Sequence, residues 1–146
     1  MTYSDPKGLE VEVLVGGSHW YEHAALRIDG TVYSNGRYRV PGQELSSFGM
    51  VGPNVLTVQN ASSYYETSDH CKTCNTNGYV LNVTEQEQER IEQFYQKLIN
   101  SSSPHPNHNG WYVMDDQYRF IGNNCSSLVV EALNAGLPWY HTMSLP

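Results

Sequence analysis

The sequence of 146 residues predicts an α+β domain, with strands early and two helices late. Three observations carry that prediction. Valine-rich, partly alternating runs open the chain, as in "LEVEVLVG" and "HAALRI". Two later stretches repeat apolar residues at three and four spacing. The composition, with 11 Tyr and 12 Gly, favours strands and turns over a helical bundle.

In chain order, Leu9 to Gly16 is the first predicted strand. "EHAALRI" and "TVYSN" flank Asp29-Gly30, a strong hairpin signal. A turn-rich stretch follows, with Pro41, Gly42, Gly49, Gly52 and Pro53, before a strand at Val55 to Gln59. Asn60 to Gly78 is polar and is expected to be a long loop or insertion; Tyr79 to Val83 is a strand. Thr84 and Glu87 form a capping box for a helix whose apolar face is Ile91, Phe94, Tyr95, Leu98 and Ile99. Asn100 to Gly110 is a loop. "WYVM" and "YRFI" are short apolar runs, strands or a turn of helix. A last helix starts near Cys125 and buries Leu128, Val129, Ala132 and Leu133, with Gly136 placed to stop it and Pro138 after it.

Eight Lys+Arg stand against fifteen Asp+Glu, a formal net charge of -7, which argues against a nucleic-acid partner. No run approaches the roughly 20 apolar residues of a membrane span, so no stable membrane insertion is expected. "MTYSDPKG" at the start is polar and turn-forming, so no leader is read there. Three cysteines make no disulfide framework. Cys71 and Cys74 can pair with each other, which leaves Cys125 free.

Cys125 follows "NN" and opens a helical pattern. It is either a small buried hydrophobe or a nucleophile. A helix N-terminus favours the thiolate, and its N–H groups can hold the oxyanion formed when a carbonyl is attacked. Asn123 and Asn124 add amide donors beside it. His23, at the start of the strand "HAALRI", is the expected base; His19, four residues earlier, is the alternative. The residue that orients the imidazole depends on the hairpin register. A two-residue Asp29-Gly30 turn pairs Ile28 with Thr31 and puts Ser34 on the face of His23. A three-residue loop pairs Arg27 with Thr31 and puts Asn35 opposite His23. The second register is preferred, which gives Cys125, His23 and Asn35, with Ser34 as the alternative third residue and Asn124 as oxyanion support.

The segments "HAALRIDGTVYSN", "TEQEQERIEQFYQKL" and "YRFIGNNCSSLVVEAL" together resemble the circularly permuted NlpC-like branch of the papain-like cysteine peptidases. In permuted members the histidine strand comes first and the cysteine opens a later helix, the order seen here. The resemblance implies a papain-like fold, an antiparallel sheet packed against helices with the catalytic Cys125 at a helix N-terminus. It maps the third polar residue to Asn35. It implies acyl transfer through a thioester, without a cofactor, on a peptidoglycan peptide, a protein or a lipid. The loop with Cys71 and Cys74 has no counterpart in that pattern.

"DPKGL", Asp5 to Leu9, resembles the boundary in Rhs-repeat proteins where the core ends and a variable C-terminal toxin begins. That resemblance divides the chain into a boundary tail at 1–9 and a single catalytic domain at 10–146. It implies an antibacterial toxin, carried by an Rhs protein and a type VI secretion machinery into a target cell. The periplasm is favoured over the cytoplasm as the place of action, and a cognate immunity protein is the expected partner. The rival readings are a protease, deamidase or transglutaminase acting on a cytosolic protein, a lipid acyltransferase, and a non-catalytic module stapled by zinc. The zinc candidates are Cys71 and Cys74, with His70, His105 and His108 nearby, but their spacing is poor for a metal site and none is expected. Trp20, Tyr21, Trp111 and Tyr112 can line a cleft or belong to the core.

Overall fold

The computed structural model describes residues 10–16, 23–43, 51–67, 76–119 and 122–138. Among these described residues seven strands form one antiparallel sheet. They are β1 (Val11–Gly16), β2 (His23–Ile28), β3 (Thr31–Arg37), β4 (Val51–Asn60), β5 (Asn77–Leu81), β6 (Ser103–Pro104) and β7 (Trp111–Arg119), in spatial order β5-β1-β2-β3-β4-β7-β6. Among the described residues three helices complete the α+β domain: α1 (Ala61–Thr67), α2 (Glu85–Ser101) and α3 (Cys125–Gly136).

Period-two alternation decides which helix covers which face. Ala24, Leu26 and Ile28 of β2, Tyr33 of β3 and Leu56 of β4 point to the face covered by α2 and α3. There they meet Ile91 and Tyr95 of α2 and Leu128, Val129, Ala132 and Leu133 of α3. Tyr95 stacks on Tyr33 with ring centroids 4.3 Å apart. On the opposite face Leu14, Ala25 and Val32 are covered by Ala61 and Tyr64 of α1.

The capping box of α2 forms as the sequence predicts. Glu87 N donates to Thr84 Oγ1 at 3.1 Å, and Thr84 N donates to Glu87 Oε1 at 2.8 Å. Helix α3 ends on Arg90, whose Nε and Nη2 donate to the Gly136 carbonyl at 3.0 and 2.8 Å. Gly136 lies inside α3 rather than past its end, with Leu137 as the C-cap. Its missing side chain lets α3 approach α2, because a Cβ there would lie 2.9 Å from the Glu87 carbonyl oxygen.

Other boundaries also differ from expectation. The polar stretch after Asn60 holds α1, capped where Ser63 N donates to Asn60 Oδ1 at 2.7 Å. Strand β4 starts at Val51 and takes in Gly52 and Pro53; an irregularity between Pro53 and Val55 accommodates the proline. "WYVM" and the start of "YRFI" form one long strand, β7.

The hairpin register is the consequential correction. Ile28 pairs with Thr31, Arg27 with Val32 and Leu26 with Tyr33, so the turn holds only Asp29 and Gly30. The expected three-residue loop does not form because Asp29 itself takes the left-handed position, at φ 53. Its carboxylate accepts from Glu10 N at 3.2 Å and from Gln88 Nε2 at 3.0 Å. A one-residue change of register moves the other set of β3 side chains to the face of His23.

Candidate active site

Three local features deliver the thiol. Strand β7 ends at Arg119, and the chain turns back so that Arg119 N donates to Asn123 O at 2.7 Å. Asn124 then takes an extended N-cap conformation, φ -132 and ψ -172, and accepts from Ser127 N at 3.0 Å. Ser127 Oγ in turn accepts from Asn124 N at 2.8 Å. This closes a capping box with serine in the usual Glu position. Cys125 is therefore the first residue of α3, where a backbone N–H has no carbonyl one helical turn earlier to donate to.

Cys125 is free and only 6% exposed. Burial alone pushes its thiol up. The hydrogen bond and charge of His23, the Ala24 backbone N–H and the Tyr118 side chain pull it down, and together they win. The result is a thiol lowered from 9.0 to about 7. That places an appreciable thiolate fraction at neutral pH in a largely water-excluded site.

His23 opens β2 and is braced from behind. Its Nε2 lies 2.5 Å from Ser34 Oγ. With the two-residue turn, Ser34 falls on the His23 face of the sheet, the alternative that the sequence left open. Ser34 is itself fixed, since its carbonyl accepts from Thr57 Oγ1 at 3.0 Å. Its side chain also hydrogen-bonds Tyr64, whose hydroxyl is raised to about 12 by burial first and then by the neighbouring Tyr38 and Cys125 charges. Tyr38 is raised too, by burial and then by Cys125. Tyr38, Tyr64 and Tyr118 thus stand around the Cys125–His23–Ser34 group as aromatic neighbours.

Asn35, the preferred third residue, is not brought to His23. It shares the helix-covered face with Tyr33 and donates from Nδ2 to Asn54 Oδ1 at 3.0 Å. Asn124 is brought to Cys125, where its observed work is to cap the helix. Cys71, Cys74, His70 and His19 lie outside the described residues. His105 is buried, with Nε2 against the Arg39 carbonyl at 2.8 Å and Nδ1 accepting from Asn107 N at 3.1 Å, so both ring nitrogens are engaged. His108 stacks on Trp111 at 4.1 Å, and Trp111 packs on Tyr38. Tyr112 packs against the main core, so Trp111 and Tyr112 serve packing. Among the described residues, no group of three His, Cys, Asp or Glu side chains is placed to hold a metal ion.

The sequence reading missed Tyr118, Tyr38 and Tyr64. Tyr118 stands seven positions before the cysteine, in an apolar run read only as strand or helix. Tyr64 sits in the polar stretch read as a loop. No local signal marks either residue. Comparison with known protein families, curated proteins and solved structures finds no match for this chain.

Proposed function

We propose that this domain is a cysteine hydrolase of the papain-like, permuted NlpC-like type, cutting an amide through a thioester. The observation that supports it best is the buried Cys125 thiol, lowered to about 7 by a histidine that is braced by Ser34. A cysteine serving only as a small hydrophobe gains nothing from that partner. With Nε2 engaged by Ser34, Nδ1 is the ring nitrogen left for the thiol proton.

In the proposed reaction His23 takes the proton of Cys125, and the sulfur attacks the carbonyl carbon. The oxyanion is held by the N–H groups of the first turn of α3, with Asn124 keeping that turn in place. The C–N bond breaks as His23 gives the proton to the leaving amine. Water, deprotonated by His23, then attacks the thioester, releasing the acid and restoring the thiol. Ser34 holds the imidazole in the tautomer that this sequence requires.

The substrate we favour is a peptidoglycan peptide amide, cut in the periplasm of a target bacterium. In this reading the domain is an antibacterial toxin carried by an Rhs protein, delivered by type VI secretion and blocked by an immunity protein. The residue pattern "DPKGL" and the histidine-before-cysteine order support it. The net charge of -7 favours a second reading, since cell-wall polymers are themselves anionic: the same three residues acting on a cytosolic protein.

Expression in bacterial test cells separates these readings. Cytosolic and periplasm-directed forms would each be compared with Cys125→Ala. Lysis only from the periplasmic wild type supports the cell-wall amidase, and toxicity only in the cytosol moves the target there. Equal toxicity from Cys125→Ala would sink the nucleophile.

A further inference from the structure

Four polar side chains are linked by hydrogen bonds from the central strands to Asn123, just before the cysteine helix. Asn35 Nδ2 donates to Asn54 Oδ1 at 3.0 Å, and Asn54 Nδ2 reaches Asp116 Oδ1 at 3.4 Å. The other carboxylate oxygen of Asp116 accepts from Asn123 Nδ2 at 2.9 Å. The same Asn123 amide also donates to the Gln117 carbonyl at 2.5 Å. One end of this chain is sunk in the central strands, with Asn35 2% and Asn54 1% exposed. The other end is Asn123, two residues before the thiol.

Gly122 sits at φ 97, with open space where a side chain would stand. At Asn123 the side-chain hydrogen bonds to Asp116 and to the Gln117 carbonyl hold the entry into α3. A displacement of about 1 Å at a reacting atom can cost on the order of 100-fold in rate.

We infer that Asp116 and Asn123 are positioning residues for Cys125, with Asn54 and Asn35 anchoring Asp116 to the sheet. The inference rests on the reading of Cys125 as a nucleophile. It also gives buried Asn35 work other than orienting the histidine. Asp116 carries a negative charge, and charge and position pull in opposite directions. As a charge alone it would disfavour the thiolate, so its loss would speed thiol chemistry. As a holder of Asn123, its loss would slow it.

The experiment is the rate of Cys125 alkylation by iodoacetamide against pH, followed by peptide mass spectrometry in the full chain. The expected result is a fall of about tenfold at pH 7 for Asp116→Ala, with the midpoint moved up. Asp116→Asn, which drops the charge but keeps an oxygen for Asn123, should restore most of the rate. Asn123→Ala should match Asp116→Ala, and the double variant should fall no further than either single one. Asp116 is exposed, so the far-ultraviolet circular dichroism of its variants should be unchanged. A faster or unchanged Asp116→Ala, or an Asp116→Asn as slow as Asp116→Ala, overturns the inference while leaving the nucleophile intact. A wild type without a midpoint near 7 removes the nucleophile reading, and this inference with it.

Discussion

His23 Nε2 and Ser34 Oγ lie 2.5 Å apart across β2 and β3, and a hairpin turn of only two residues puts them on one face. In the proposed mechanism that contact lets Ser34 aim the imidazole. A hydrogen bond to a group that becomes charged is worth about 1.5–3 kcal/mol. Ser34→Ala should therefore lower hydrolysis, or lysis by the periplasmic form, by about 10- to 100-fold, while the protein stays folded. Asn35→Ala should leave the imidazole aimed and cost mainly stability, because it strands Asn54 Oδ1 in the interior, with a smaller loss of activity through the loosened Asp116 anchor. Activity per folded molecule and a urea melt for each variant separate the two effects. An inactive, stable Asn35→Ala beside an active Ser34→Ala would reverse the assignment.

The thiol should titrate early. Cys125 is lowered to about 7, so its alkylation rate should rise through a midpoint near pH 7, well below that of an ordinary cysteine. His23→Ala removes the hydrogen bond and the charge that oppose burial. Its midpoint should move up past that of the wild type, with slow alkylation at pH 7. A Cys71→Ser, Cys74→Ser background keeps the other two cysteines silent. Identical profiles for wild type and His23→Ala would break the proposed pair.

The same shift predicts a pH dependence of stability. The folded thiol ionises at lower pH than the unfolded one, so between about pH 7 and 9 the unfolded chain binds more protons. Stability should rise with pH across that window, with the contribution complete above the unfolded value and lost as pH falls through about 7. Urea midpoints under reducing conditions, wild type against Cys125→Ser, test this. The difference between the two should grow from pH 7 to 9 in favour of wild type.

What the sequence made legible was local. The Thr84–Glu87 capping box and the buried face of α3 depend on residues three and four apart, so both are visible in the chain. The cysteine at the head of α3 was legible for the same reason. The hairpin register was not. Asp29 holds its left-handed turn through Glu10 and Gln88, which are 19 and 59 positions away. Those partners are invisible to any count along the hairpin, so the sequence alone favours Asn35 over Ser34. Tyr64 was hidden because α1 has only seven residues, too few for an apolar period to stand out.

Gly136 carries the last prediction. It lies in α3 where that helix crosses α2, close to Ile91 and the Glu87 carbonyl. In an isolated helix, alanine would be the better residue by roughly 1 kcal/mol. Here its methyl group would sit 2.9 Å from a backbone oxygen and closer still to Ile91, so one helix must move. Overpacking of this kind costs about 1–3 kcal/mol, which outweighs the propensity gain. Gly136→Ala should therefore lower the thermal midpoint. Because α3 carries Cys125 at its far end, a shift of the helix should also slow Cys125 alkylation at pH 7. Adding Ile91→Val frees room beside the new methyl group and should recover part of both losses. A Gly136→Ala variant more stable than wild type would mean that the two helices are not packed as tightly as this crossing requires.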